Sequence, residues 1–328
     1  MSALQESVTI CPCGSRDLAP AMRAFRLGET RYGLRRCRRC GRMMLDPRPG
    51  SDTLAKSYGD TYYGTGSRKF IPAIEGVVDW FRDGRARLAG RLVAESRRDG
   101  TGTVLDIGCG SGQFLARLAR SGHECHGTEY SAETGRRASK VPGLHLVFGA
   151  LGADTFAAGT FDLISIWHVL EHLPDPDSVL RYCHRWLGEG GTLMIAVPNG
   201  DSLQAKLFGG SWFHLDPPRH LYHFTRESMR RALADAGFRI QRMRTLSWEQ
   251  NVYGILQSIL NVIGFPRDEF YEVLKGNRPL RRSPRLLLQF LLMTALAPVA
   301  FVLTGLEALF GRGGTLECIA RRADAALR

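Results

Sequence analysis

The sequence predicts an α/β protein built around a mostly parallel sheet. Over residues 101–250, short apolar runs alternate with stretches of helical periodicity, which is the pattern of successive strand–helix units. Three glycines at alternating positions, Gly108, Gly110 and Gly112, follow the first of these runs. A chain of 328 residues, with 44% apolar and 23% charged residues, is long enough for one such domain and smaller additions.

Five segments of different composition give the predicted organisation. They are a cysteine-rich module at 1–60, a helical connector at 61–100, the α/β domain at 101–250, an apolar helical insertion at 251–315, and a final strand with its tail at 316–328. We expect the final strand to join the sheet beside the segment 238–245, because consecutive elements of a sheet usually lie next to each other.

The charge and cysteine content narrow the class of protein. The net charge is +12, and the 44 basic residues comprise 5 lysines and 39 arginines. This balance fits either an acidic partner, such as nucleic acid, anionic lipid or a phosphorylated substrate, or a solvated basic surface. Residues 1–10 lack the pattern of a signal peptide, and the eight cysteines are not spaced as a disulfide framework. We therefore expect a reduced, cytoplasmic protein.

The most informative segment is the strand, turn and helix at residues 103–121. Its glycines allow a tight turn and let a ligand contact the backbone where the helix begins. Asp106 lies inside the strand, where a buried carboxylate needs a cationic partner or ordered water. Nineteen residues after Gly110, Glu129 ends a second apolar strand. In Rossmann-type sites an acid at that position accepts hydrogen bonds from ribose hydroxyls.

These motifs resemble those of the class I S-adenosylmethionine (SAM)-dependent methyltransferases, over about residues 101–245. Their glycine spacing, Gly-x-Gly-x-Gly, differs from that of dinucleotide-binding enzymes. The resemblance implies a Rossmann-like sheet of seven strands and SAM as the cofactor. It also implies that the strand at 161–167 ends beside the reactive sulfonium. The predicted cofactor-binding residues are Asp106, Gly108, Cys109, Gly110, Gly112, Phe114, Glu129, Tyr130, Ile166 and Trp167.

One position departs from the pattern of many relatives. They carry a Gly-Asp pair after the third strand, and its acid meets the amino group of adenine. This chain has Gly149-Ala150 instead. Asp154 or backbone groups would have to take that role.

Three residues are candidates for handling the methyl acceptor. Methyl transfer requires that a nucleophile be aligned with the methyl group, and a histidine can take up its proton near neutral pH. His168, directly after the strand at 161–167, is the first candidate. Arg219 and His220 lie in a polar loop, 216–225, which is expected to lie over the catalytic face beside the substrate. The alternatives are a packing histidine at 168 and a loop that only clamps the structure.

The phrase Leu170-Glu171-His172 resembles that of ubiquinone-pathway O-methyltransferases, in which this region is linked to a divalent cation. His168, Glu171 and His172 are possible ligands for such a cation. The alternative is that Glu171 and His172 only fix the loop and the start of the next helix.

Four of the cysteines are spaced as zinc ligands. They form two pairs, Cys11 with Cys13 and Cys37 with Cys40, on glycine-containing turns that suit tetrahedral Zn²⁺. The first pair is one residue shorter than the usual Cys-x-x-Cys. The module resembles one found in a group of bacterial methyltransferases, some of which C-methylate nucleotide sugars. We predict a structural zinc-ribbon-like module.

Residues 286–305 contain no charge and are long enough to span a membrane. A single crossing is incompatible with a final strand that returns to the sheet. We therefore predict a monotopic association with an anionic membrane surface, with 252–265 as a second apolar arm. The alternatives are a buried helix and a dimer interface. Four arginines precede the stretch: Arg278, Arg281, Arg282 and Arg285.

The predicted function is SAM-dependent methylation of an oxygen or carbon of a small-molecule or lipid-linked acceptor, such as a glycan intermediate or a prenylated phenol. The predicted location is the inner face of the cytoplasmic membrane. A nucleic-acid methyltransferase is the first alternative, but residues 167–170 lack the Asn-Pro-Pro-Tyr type of phrase that amino-group methyltransferases often use. A non-catalytic SAM- or zinc-binding scaffold is the second, and the intact Asp106, glycine loop and Glu129 oppose it.

Overall fold

The computed structural model describes residues 7–27, 29–58, 70–97, 100–130, 132–277 and 283–323. The strands are β1 (Leu18–Leu27), β2 (Thr30–Cys37), β3 (Met43–Asp46), β4 (Thr103–Ile107), β5 (Glu124–Glu129), β6 (Leu144–Phe148), β7 (Phe161–Trp167), β8 (Leu187–Pro198), β9 (Tyr222–His223), β10 (Phe238–Arg244) and β11 (Thr315–Arg322). The α-helices are α1 (Ser51–Ser57), α2 (Pro72–Ala94), α3 (Gln113–Arg120), α4 (Ala132–Ala138), α5 (Pro176–Trp186), α6 (Leu203–Phe208), α7 (Arg226–Asp235), α8 (Trp248–Val262), α9 (Glu269–Leu274) and α10 (Pro284–Leu309).

Seven strands form one sheet in the order β10-β11-β8-β7-β4-β5-β6. The pairings of β4 with β5 and β7, of β5 with β6, and of β7 with β8 are parallel. The chain therefore moves outward from β4 in one direction and then returns to its other side, so that β4 and β7 form the switch point where open α/β sheets bind ligands. The predicted seven-stranded, mostly parallel sheet is confirmed. The last strand lies next to β10, as expected.

The chain divides into two compact units, each made of separate stretches. The sheet unit consists of Glu75–Ala196, Arg230–Met243 and Glu317–Arg328, and the module unit consists of Met1–Ile74, Val197–Met229 and Arg244–Leu316. This division differs from the predicted domain boundaries. The cysteine module, the loop 216–225 and the apolar helices share one unit, because strand pairing and helix packing join segments that are distant in the sequence.

The core of the sheet unit explains its strand composition. A parallel sheet is covered on both faces, so β4 and β7 are almost entirely buried and mostly apolar. Helix α3 buries Phe114, Leu115 and Leu118, which lie on one face at helical spacing. Ala89 and Val93 of α2 belong to the same apolar cluster.

In the module unit, β1, β2, β3 and β9 form an antiparallel sheet. Met43 of β3 pairs with His223 of β9, and Met44 pairs with Tyr222. Next to this pair, the Leu45 N–H donates to the Leu221 carbonyl at 3.0 Å. The ribbon that carries the cysteines is thus extended by a strand from the loop 216–225.

The predicted apolar insertion is helical. Its two arms are α8 and α10, and they share an apolar cluster that includes Ile255 and Met293. The buried residues of α10 recur at helical spacing, and they are Leu286, Gln289, Met293, Ala300, Thr304 and Glu307. Arg278, Arg281 and Arg282 lie outside the described residues.

Both ends of α10 are held by buried polar contacts. Near its start, Gln289 Nε2 donates to Glu269 Oε2 at 2.8 Å, and Arg285 forms an ion pair with the same carboxylate. Near its end, Gln204 Nε2 donates to Glu307 Oε1 at 2.6 Å. Both ends of the helix are therefore fixed within its unit.

Candidate active site

The glycine loop after β4 forms the floor of the candidate site. Gly108, Gly110 and Gly112 have φ of +72°, +57° and +72°, a conformation that glycine adopts without strain. A Cβ at Gly108 would lie 2.5 Å from Val169 Cγ2, and a Cβ at Gly112 would lie 3.2 Å from Leu144 Cδ2. A Cβ at Gly110 would meet no atom within 4 Å. The loop is therefore packed at both ends and open in the middle, where a ligand can contact the backbone.

Asp106 places a carboxylate beneath this loop. The residue is only 4% exposed, and its Oδ1 has no hydrogen-bond partner among the described residues. Burial raises the pKa of Asp106 to about 6, and the charge of Arg85 opposes this rise. A buried carboxylate oxygen without a donor is a favourable place for the ammonium group of a ligand, or for water that it holds.

Glu129 ends β5 beside the loop. The Gly110 N–H donates to its Oε2 at 3.0 Å, and the Tyr130 N–H donates to its Oε1 at 2.9 Å. These two donors fix the orientation of the carboxylate at the mouth of the loop. Carboxylate oxygens accept several hydrogen bonds, so this position suits the vicinal hydroxyls of a ribose.

Arg85 of α2 completes the site and was missed in the sequence analysis. Its guanidinium lies 4.5 Å from the centroid of the Phe114 ring and 4.8 Å from that of Trp167. Stacking on aromatic rings leaves the edge of a guanidinium directed at a carboxylate. With Asp106, it offers one anion and one cation, which matches the ammonium and carboxylate of a methionine moiety. In the sequence, Arg85 could have been noticed as an arginine on the helix that precedes β4.

The other predicted cofactor residues differ from one another in burial and in the groups that they contact. Cys109 is buried, and burial raises the pKa of its thiol. Tyr130 is 81% exposed. Ile166 is buried within β7, and its place beside the cofactor stays a prediction. Successive side chains of a strand point to opposite faces, so Ile166 and Trp167 lie on different faces, and Trp167 contacts Arg85. Asp154 is exposed and pairs with Arg185 at 3.0 Å.

His168 follows β7 in a left-handed conformation, with φ of +55°. For a residue other than glycine, such a conformation costs on the order of 1 kcal/mol and is typical of functional sites. Its N–H donates to the Ala196 carbonyl at 2.8 Å, and its Nδ1 lies 3.4 Å from Oε1 of the fully buried Glu171. The strand end and the carboxylate together fix the direction of the imidazole.

The loop 216–225 belongs to the module unit. Arg219 binds both carboxylate oxygens of Asp216, with Nε 2.9 Å from Oδ2. His220 Nδ1 lies 2.8 Å from the His214 carbonyl, which can only accept, so this nitrogen carries a proton. Thr225 caps α7, because its Oγ1 accepts from the Ser228 N–H at 3.1 Å. The loop is therefore internally ordered, and Arg219 already holds an acid.

The four cysteines of the module converge, with all four sulfur atoms within 4.8 Å of one another. Cys11 Sγ lies 3.5 Å from Cys40 Sγ, and Cys13 Sγ lies 3.6 Å from Cys37 Sγ. Tetrahedral Zn–S bonds of about 2.3 Å require sulfurs about 3.8 Å apart. The short first pair therefore does not prevent a four-sulfur arrangement that fits zinc.

Comparison with known proteins identifies the family. Residues 80–242 match a family model described as a methyltransferase domain. The ubiquinone biosynthesis O-methyltransferase of Pseudomonas paraeruginosa is 33% identical over 128 residues, which are 37% of this chain and 50% of that protein. The protein of the same name from Bordetella avium is 30% identical over 183 residues, which are 52% of this chain and 71% of that protein. The chain belongs to the SAM-dependent methyltransferases.

A solved structure agrees with this methyltransferase fold. A candidate sarcosine dimethylglycine methyltransferase from Galdieria sulphuraria aligns with a TM-score of 0.50 at 16% identity, over 82% of this chain and 96% of that one. At that identity the likeness concerns the fold alone. The methyltransferase chain spans about half the length of the first curated relatives, at 50% and 57%. The unpartnered Asp106 oxygen, the open glycine loop and Glu129 fit SAM, the cofactor of the family.

Replacement of Gly110 tests the position of the cofactor. We expect Gly110→Arg to weaken SAM binding at least about 100-fold, since the side chain would fill the open face of the loop. Isothermal titration calorimetry measures the Kd. Gly159→Arg is the matched control, because Gly159 also has a positive φ (+71°) and no atom within 4 Å of a built Cβ. It lies before the N-terminal end of β7, whereas the glycine loop follows the C-terminal end of β4. Unchanged affinity in Gly110→Arg would contradict the assignment.

The pH dependence of SAM binding tests Asp106. Its pKa of about 6 means that the carboxylate is charged above this pH and neutral below it. We expect a nearly constant Kd above about pH 6 and a rise of about tenfold per pH unit below it, because the neutral acid no longer attracts an ammonium group. Asp106→Asn should bind SAM weakly with a Kd that hardly varies between about pH 5 and pH 7. A flat wild-type profile would show that Asp106 does not hold the ammonium group.

Proposed function

We propose that this methyltransferase transfers the methyl group of SAM to an oxygen of a small-molecule or lipid-linked acceptor at the inner face of the cytoplasmic membrane. The observation that carries the proposal is the set of charges around the glycine loop, Asp106, Arg85 and Glu129, in a chain whose curated relatives are named as O-methyltransferases. Together these charges match a SAM-like ligand. Asp106 and Arg85 suit its methionine part, and Glu129 suits its ribose.

Some of these residues would bind the cofactor, and others would bind or deprotonate the acceptor. SAM supplies an electrophilic methyl group when it is bound. Asp106 and Arg85 would hold its ammonium and carboxylate groups, and Glu129 would hold the ribose. His168 would take the proton of the acceptor hydroxyl on Nε2, because Nδ1 faces the Glu171 carboxylate, 3.4 Å from its Oε1. Glu171 would then stabilise the imidazolium.

The loop 216–225 is proposed to contact the acceptor, mainly through His220. Arg219 is bound to the Asp216 carboxylate, so its first role would be to hold the loop. His220 has one nitrogen committed to the His214 carbonyl and presents the other, Nε2, 3.6 Å from Asp216 Oδ2. An imidazole in this setting suits a polar group of the acceptor, by hydrogen bonding or by proton transfer.

We also propose that α10 lies in the surface of an anionic membrane. Among the described residues, α10 is the helix whose length and composition would allow it to cross a membrane, but one of its faces is packed and both its ends are fixed. A helix that lies in the membrane surface without crossing it is consistent with both observations. Its opposite face is apolar and more than 40% exposed, at Leu287, Leu288, Phe290, Leu291, Val299, Phe301, Val302, Leu303, Leu306 and Leu309.

The size and the charge of this surface favour a lipid occupant. Monomeric proteins rarely expose so large an apolar patch to water. Leu207, Val262 and Ile263, in the same unit, are also more than half exposed. Arg285 at the start of the helix is about half exposed, and the chain carries a net charge of +12. Anionic headgroups would complement this charge while the lipid tails cover the apolar face.

The four cysteines are proposed to hold one structural zinc ion. Four sulfur atoms at nearly tetrahedral spacing are the ligand set that zinc prefers in structural sites. The ion would tie residues 11–13 to residues 37–40 and so close the ribbon.

A label-transfer assay tests the function. Purified enzyme is incubated with host extract and methyl-labelled SAM, and the products are divided between organic and aqueous phases. We expect enzyme-dependent label in the organic phase, since the apolar surface suits a lipid-linked acceptor. Label in aqueous small molecules would replace this class by a soluble metabolite, and label in neither phase, with Gly110→Arg as background, would contradict small-molecule methylation.

The same assay tests His168. We expect His168→Asn to lower the rate of label transfer about 10²- to 10⁴-fold with an unchanged Kd for SAM, because asparagine tolerates the positive φ but cannot take the proton. His145→Asn, an exposed position on β6, is the control and should keep the wild-type rate. Full activity of His168→Asn would exclude it as the base.

Vesicle sedimentation tests the membrane proposal. We expect the wild-type protein to pellet with vesicles of phosphatidylglycerol and phosphatidylcholine. Val302→Glu should weaken this binding about tenfold or more, because an apolar side chain is lost from the inserted face. Val77→Glu makes the same charge change at a similarly exposed site on α2, 56% against 62%, and should bind as the wild type does. Wild-type protein that stays in the supernatant would refute the proposal.

A further inference from the structure

Only two residues separate the cysteine cluster from β3, the strand that pairs with β9. Cys37 and Cys40 are buried, and the turn between them leads directly into Arg42 and β3. The Gly41 N–H donates to the Cys37 carbonyl at 2.8 Å, and the Cys37 N–H donates to the Arg42 carbonyl at 2.9 Å. The backbone of Arg42 is therefore hydrogen-bonded to a candidate metal ligand, and the position of Arg42 depends on that turn.

The side chain of Arg42 points at the loop that carries the candidate acceptor residues. It is only 3% exposed. Its guanidinium lies 4.9 Å from the centroid of the Phe224 ring and 5.7 Å from that of Tyr222. These two aromatic residues flank His223. A buried guanidinium stacked on aromatic rings is sensitive to small displacements, because it loses favourable contact without regaining water.

Strand pairing reinforces this contact. β3 begins at the residue after Arg42 and supplies the sheet pairing of β9, which has only two residues. Arg48, just after β3, donates from Nη1 to the Tyr222 hydroxyl at 3.0 Å and lies 5.4 Å from the ring centroid. Tyr222 is thus contacted by two arginines of the ribbon. Two residues earlier in the chain lies His220.

We propose that Arg42 is a positioning residue through which the metal-bound cysteine cluster orders the acceptor-side segment 220–225. The proposal rests on the proposed zinc ion and on the proposed acceptor role of His220. With the ion in place, the turn 37–41 holds Arg42 and the start of β3, and these hold Tyr222, His223 and Phe224. Without it, the segment would lose this support. The residues of the SAM site would keep theirs, because the contacts described for Glu129 and Arg85 lie within the sheet unit.

Metal analysis and hydrogen exchange of the full chain test the link. Protein purified without chelator should contain about one equivalent of zinc, which Cys40→Ser removes and Cys183→Ser, at a buried cysteine of α5, does not. After chelation under reducing conditions, we expect amide exchange in peptides covering 220–225 to rise at least about tenfold. Peptides covering 103–121 and 248–262, and the Kd for SAM, should be unchanged. Zinc-free protein as purified would overturn the proposal, as would unaltered exchange in 220–225 or a uniform rise throughout the module unit.

Substitution of Arg42 separates its role from a general effect on stability. Arg42→Lys keeps the charge but loses the planar group that stacks on the rings. We expect it to retain zinc and SAM binding, to raise exchange in 220–225, and to slow label transfer about tenfold. Arg38→Lys, at an exposed arginine of the same turn, should match the wild type. Wild-type exchange in Arg42→Lys would refute the proposal. If no label transfer is found for any variant, the proposed function fails and the exchange result still decides the role of Arg42.

Discussion

The burial of one carboxylate, that of Asp106 at the end of β4, constrains the rest of the site. A charged group at this depth in a sheet is unfavourable, and the rise in its pKa to about 6 reflects that burial. The guanidinium of Arg85 offsets part of the penalty, and it is held in place by Phe114 and Trp167. The Gly110 N–H of the glycine loop then fixes Glu129 at the mouth of the same loop. A ligand of matching charges that binds here stabilises the folded chain.

Sequence patterns predicted the parts of this site that depend on neighbours in the chain. The strand before the glycines, the glycine turn and the acid that ends β5 are local features, since each follows from the residues of one strand–helix unit. The same holds for the two cysteine pairs. Their geometry depends on turns of a few residues, and such turns have characteristic compositions.

Features that depend on distant segments could not be predicted in this way. Arg85 joins the site only because α2 packs beside β4, and no motif marks it. The division into two units also follows from long-range contacts, namely the pairing of β3 with β9 and the packing of α8 on α10.

The pairing of β3 with β9 also affects how the chain is made. Met43 and His223 lie 180 positions apart, and ribosomes add about 5–20 residues each second. The edge of β3 therefore stays without this partner for about 10–40 s during synthesis, while the strands from β4 to β8 emerge. An open strand edge is prone to pair with other chains. The nascent ribbon consequently has a long interval in which early metal capture, or a chaperone, would protect it.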